Sequence, residues 1–172
     1  LREFAPQAVH PGKDSGHCVW DWLPDAWMAE PKYFDKDHWH ETEVFQNAHV
    51  KEEYDWVTGE LDRLLRRHGY VRNGLFYQAV APNEDTIVLF CHFGVECVLL
   101  SHLLNISPMQ LWHGTCAAPS SVTVLYTEER RSGVASFRMS RFGDVSHLYA
   151  GGREPSFAAR FCEVYTRFDQ RH

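Results

Sequence analysis

No apolar run in this 172-residue sequence approaches the ~20 residues a membrane-spanning helix needs, so no membrane partner is expected. Positive charge is not in excess either. Seventeen Lys and Arg against 23 Asp and Glu leave a net charge of −6, without the basic footprint of a nucleic-acid binder. Cysteine is sparse: Cys18, Cys91, Cys97, Cys116 and Cys162 are odd in number and scattered, which argues against a disulfide framework. They read as reduced thiols of a cytoplasmic protein. The opening residues LREFAPQAVH are mixed and polar, with no signal-peptide pattern. No methionine precedes Met28, so the chain opens as a fragment does. Repeats and low-complexity tracts are lacking. What is present is ordinary for a soluble globular protein, 44% hydrophobic and 23% charged, in a chain long enough for one domain with a proper core.

Residues 5–46 are irregular. Pro6, Pro11, Pro24 and Pro31 interrupt them, and Trp20, Trp22, Trp27 and Trp39 crowd them. This segment reads as a cap or lid of loop and short helices whose aromatics pack on an α/β body spanning 47–172. The cap would set substrate choice through those tryptophans and Lys13, Lys32 and Lys36. The body opens with a helix over 47–68, with Val50, Tyr54, Val57, Leu61, Leu64 and Leu65 as its apolar stripe and Gly69 beyond its end. Asn73-Gly74 between apolar residues signals a hairpin over 70–80. Ser107, Pro108 and Gln110 form a helix start. Segments 121–127 and 134–142 read as strands joined by a polar turn, and a last helix is expected over 155–168.

The stretch 86–94, TIVLFCHFG, carries the most information. Ile87 to Cys91 form a continuous apolar run after the turn residues Pro82 to Asp85, the pattern of a strand covered on both faces of a parallel sheet. VECVLLSHLLN follows with helical spacing and closes on Asn105. His92 thus falls between a strand's carboxyl end and a helix's amino end, where α/β sheets bind ligands and helix N–H groups meet anions.

A strand ending in His92-Phe93-Gly94, then a helix, then SSVTVLYTEE, then RFGDVSHL resembles the second half of the histidine phosphatase superfamily, the phosphoglycerate-mutase-like proteins, over residues 86–148. Leu1-Arg2-Glu3 resembles that family's L-x-E segment. The resemblance implies a three-layer α/β/α sheet with a cap insertion, and a phosphomonoester hydrolase working through a phosphohistidine without a cofactor. Hydrolysis is expected over mutase activity because it is the commoner reaction in the family. There a nucleophilic histidine in an Arg-His-Gly motif on the first strand takes the phosphoryl group. A second histidine holds the phosphate, arginines neutralise its oxygens, and an acidic residue protonates the leaving oxygen. By position His92 matches the second histidine and Glu3 the acid, while the amides around Phe93 and Gly94 complete the anion cradle. Such chemistry is mainly positioning and charge stabilisation, split into two easier steps by the covalent intermediate.

The family's first strand and nucleophile have no match here and are expected upstream of Leu1. The chain alone is therefore expected to be inactive and to expose an apolar edge. Its partners would be a phosphorylated small molecule and the upstream segment or a second copy. The literal Arg67-His68-Gly69 ends the amphipathic helix instead of a strand, and its charges suit a helix C-terminus.

Three other readings stand beside this one. His38-x-His40, with His17-Cys18 upstream, is a candidate metal pair if it lies on a strand. Cys91, His92 and Cys97 are close in sequence, as in a cysteine phosphatase, but no arginine follows before Arg130. The chain could also be a relative that binds phosphate without turnover.

Overall fold

In a computed structural model of the chain, residues 22–160, 166, 167 and 169–171 are described. Glu3, His17, Cys18 and residues 5–21 of the cap segment lie outside them. The rest of that segment folds in short pieces because prolines set their starts: α1 (Pro24–Trp27) and a 3₁₀ turn (Pro31–Phe34) each begin on one. Next comes α2 (Glu43–Asn47). Trp22, Trp27, Tyr33, Trp39 and Phe45 are all buried in one aromatic cluster. Trp39 is its centre, edge-on to Phe45 (5.4 Å), Tyr54 (5.2 Å) and Trp112 (5.9 Å).

The long helix α3 (Val50–Arg67) buries Val50, Thr58, Leu61 and Leu65. It stops at Gly69, whose φ of +85° suits glycine, and a Cβ there would lie 2.3 Å from the Ala81 carbonyl oxygen. The Val80 and Ala81 N–H groups both donate to Gly69 O, which turns the chain back toward the body. Arg67-His68-Gly69 is thus a helix end, as its charges suggest.

Strands β1 (Tyr70–Asn73) and β2 (Phe76–Ala79) form the hairpin that Asn73-Gly74 signals. With β3 (Val122–Arg131) and β4 (Val134–Asp144) they make one four-stranded sheet, ordered β1-β2-β4-β3, antiparallel at every pairing. The protein is therefore mixed α/β.

Between sheet and aromatic cluster runs α4 (Phe93–Leu104), closed by Asn105 in the left-handed conformation (φ +57°). Cys97, Val98 and Leu100 face the aromatic cluster; Leu99 and Leu103 pack on a second core of Leu61, Leu65, Tyr70, Tyr77, Ala79 and Ala135. A helix apolar on both sides is a buried one. Helix α5 (Pro108–Gly114) starts at Ser107, whose hydroxyl accepts from the Met109 N–H and donates to Tyr33 O at 2.5 Å. The short α6 (Ser146–Ala150) completes the described helices.

Two sequence expectations are corrected. Among the described residues, 86–91 form no strand and join no parallel sheet, and no helix or strand is assigned over 82–92. Among the described residues no backbone hydrogen bond reaches 86–91, and Val88, Leu89 and Phe90 are 67%, 48% and 98% exposed. The physical reason is that apolar, β-branched sequence gives only a local preference, whereas a strand needs a hydrogen-bonding neighbour. At 155–160 the expected last helix is replaced by a 3₁₀ turn (Phe157–Ala159), and 161–165 and 168 lie outside the described residues. Helix α6 has no counterpart in the sequence reading.

Candidate functional site

His92 is the N-cap of α4, with extended backbone (φ −116°, ψ 159°), and its carbonyl accepts the first helical hydrogen bond from the Glu96 N–H at 2.9 Å. Its imidazole makes no capping bond and is exposed. The helix begins here because the apolar periodicity starts at Phe93, which leans on the aromatic core, and because Gly94 is buried against Trp112. Trp112 Nε1 donates to Gly94 O at 3.1 Å, fixing the first turn of α4 against α5. The amides of that turn have no acceptor within the helix and carry the positive end of its dipole. Glu96 in the same turn offsets part of that field.

His92, Phe93 and Gly94 are thus brought together at one helix terminus, while Glu3 lies outside the described residues. Among the described residues, no carboxylate or arginine forms a hydrogen bond or ion pair with the His92 side chain. Its neighbour Cys91 is exposed, and partial desolvation and the Glu96 charge raise its thiol. Burial pushes Cys97 up to about 12. Neither has the lowered pKa of a nucleophilic cysteine.

The metal candidates do not converge. His38 pairs with Glu41 (2.8 Å) in an exposed turn, and that carboxylate raises its pKa. His40 stands edge-on to Trp39 at 5.6 Å. Among the described residues no group of three or more His, Cys, Asp or Glu side chains could hold a metal ion.

A polar cluster that sequence reading missed lies at the other end of α4. Asp62 of α3 takes the Tyr77 hydroxyl at 2.7 Å and faces His102 Nε2 with both oxygens at 3.0 Å. Arg72 stacks over Tyr77 at 5.0 Å and donates to Gly74 O, His102 O and Asn105 Oδ1. These contacts close the C-terminus of α4 and fasten the β1–β2 turn to it. Lys36, Lys51, Arg72, His40 and His102 line an open cavity of about 330 Å³ beside the cluster. A signal did exist for one member: His102 is a polar residue within an apolar helix stretch, and such positions need partners.

Against family models, curated proteins and solved structures, the chain gives no match.

Proposed function

We propose that this chain is the carboxyl-terminal portion of a cytoplasmic phosphomonoester hydrolase of the histidine phosphatase type. In this reading a three-layer α/β/α sheet is completed by an upstream strand beside 86–91, and that strand supplies the nucleophilic histidine. His92 holds the phosphate from the neighbouring position, the Phe93 and Gly94 N–H groups donate to its oxygens, and Glu3 protonates the leaving oxygen of a phosphorylated small molecule. No metal takes part. The observation that carries the reading is the exposed, apolar segment 86–91, without a backbone hydrogen bond among the described residues, leading directly into His92 at the amino end of α4. That is the form of a strand without its neighbour, with an anion-favouring helix terminus at its end.

The test is hydrolysis of para-nitrophenyl phosphate by this chain and by the gene product carrying the upstream segment. The extended protein should be active and this chain inactive. His92→Ala in the extended protein should lower turnover by about 10²–10³-fold, the usual effect of losing one preorganised charge-stabilising donor. Phosphohistidine formed on this chain alone, and lost in His68→Ala, would sink the proposal. Phosphate binding lost in His92→Ala, with no turnover by the extended protein, would identify a binding protein instead.

A further inference from the structure

The cavity of about 330 Å³ at the carboxyl end of α4 gathers cationic side chains from three parts of the fold. Lys36 comes from the turn 36–40, Lys51 from the first turn of α3, and Arg72 from β1. His40 and His102 add two imidazoles. Among the described residues that line the cavity, Asp37 is the one carboxylate. Asp55 and Asp62 are not in its wall; the first holds Lys51 and the second His102. His92 is about 15 Å away along the helix axis.

Arg72 donates to neutral oxygens, Gly74 O (2.6 Å), His102 O (3.2 Å) and Asn105 Oδ1 (2.7 Å), so its charge has no carboxylate counterpart among the described residues. Its bond to His102 O also offsets the negative end of α4 beside the cavity. The two lysines are paired, Lys36 with Asp37 and Lys51 with Asp55, each at 2.5 Å. In both pairs the lysine is the more enclosed member, 30% exposed against 66% and 38% against 57%. Ion pairs so open to solvent contribute little and exchange partners readily.

These features restrict the ligand. The space suits a small molecule, and with Leu75 and Ile106 as its aliphatic lining residues it suits a polar one. A monocarboxylate would gain little by replacing Asp37 and Asp55, which match it in charge and are already tethered in place. A phosphoryl group carries about −1.5 to −2 charges and three acceptor oxygens, enough to displace them. Arg72 adds a charge that no carboxylate holds. We propose that this cavity binds a small phosphoryl-bearing anion through Lys36, Lys51 and Arg72, with Asp37 and Asp55 giving way to it. Occupation ties the turn 36–40 and α3 to the β1–β2 hairpin. The inference rests on the cavity's own charges and not on the reading of His92 as a phosphate ligand.

Equilibrium dialysis of the full chain against labelled inorganic pyrophosphate, with and without equimolar sulfate, tests it. Saturable binding is expected, with a dissociation constant below about 1 mM, and His92→Ala should retain it. Lys36→Gln and Lys51→Gln break only solvent-open pairs, so the double variant should keep its circular dichroism and bind at least about tenfold more weakly. Asp37→Asn removes the competing carboxylate and should tighten binding about two- to fivefold, a gain that a damaged fold would not produce. A dissociation constant above about 1 mM overturns the proposal, as does binding that the lysine variants leave unchanged. Loss of binding to equimolar sulfate, the mark of simple charge screening, overturns it too. So does binding that His92→Ala abolishes, which would put the anion at the amino end of α4.

Discussion

Asp62 and His102 face each other across the junction of α3 and α4, the imidazole Nε2 3.0 Å from both carboxylate oxygens, with Tyr77 adding a third hydrogen bond. Desolvation raises the Asp62 pKa, but the hydrogen bonds from His102 and Tyr77 and the Arg72 charge outweigh it and hold the carboxyl below its ordinary 3.8. A carboxylate with a lowered folded pKa stabilises the fold above its unfolded value, and the gain disappears as pH falls through the folded one. Asp62→Asn should therefore destabilise the protein at pH 6, and the gap to the parent should close below about pH 3.8. Urea melts at several pH values check this; a constant gap would contradict the assigned network.

Tyr77→Phe removes a donor to that carboxylate without changing core shape. Tyr77 is buried and its own pKa is driven up, first by burial and then by Asp62. A loss of about 1–2 kcal/mol is expected from urea denaturation, the usual range for a hydrogen bond to a charged group.

Gly69 and Gly74 both have positive φ, but only Gly69 is crowded. Gly74→Ala should cost about 1 kcal/mol from backbone strain alone. Gly69→Ala adds the clash with Ala81 O and should cost about 3 kcal/mol or more, because backbone rather than a flexible side chain must move. Equal effects in parallel denaturation curves would contradict the turn geometry.

Thiol labelling of the native protein should separate two of the cysteines. Exposed Cys91 should react with a maleimide at neutral pH, while Cys97, buried and shifted to about 12, should react only after unfolding. Peptide mapping after timed quenching reads both directly.

Helices α3, α4 and α5 and both hairpins were legible because their signals are local. Gly69 and Asn105 carry the left-handed stops, Ser107-Pro108 starts α5, and Asn73-Gly74 turns β1 into β2. The segment 86–91 was misread for a matching reason: Ile87 to Cys91 have strand-like side chains, but strand formation depends on a neighbour that the local sequence does not specify. His92 fell where the pattern put it, at the start of α4, because the helical periodicity begins at Phe93. The Asp62–Tyr77–His102 cluster was hidden because its members are up to 40 residues apart and meet only once α3 packs on α4.

The contact between Trp39 and Trp112 has a consequence for synthesis. At about 5–20 residues per second, some 4–15 s separate the emergence of these two rings from the ribosome. For most of that interval Trp22, Trp27, Tyr33, Trp39 and Phe45 have no α4 to cover them, and α5 comes only at its end. A nascent chain with five uncovered aromatics invites a holding chaperone, and slowing translation between codons 45 and 112 should raise the yield lost to inclusion bodies.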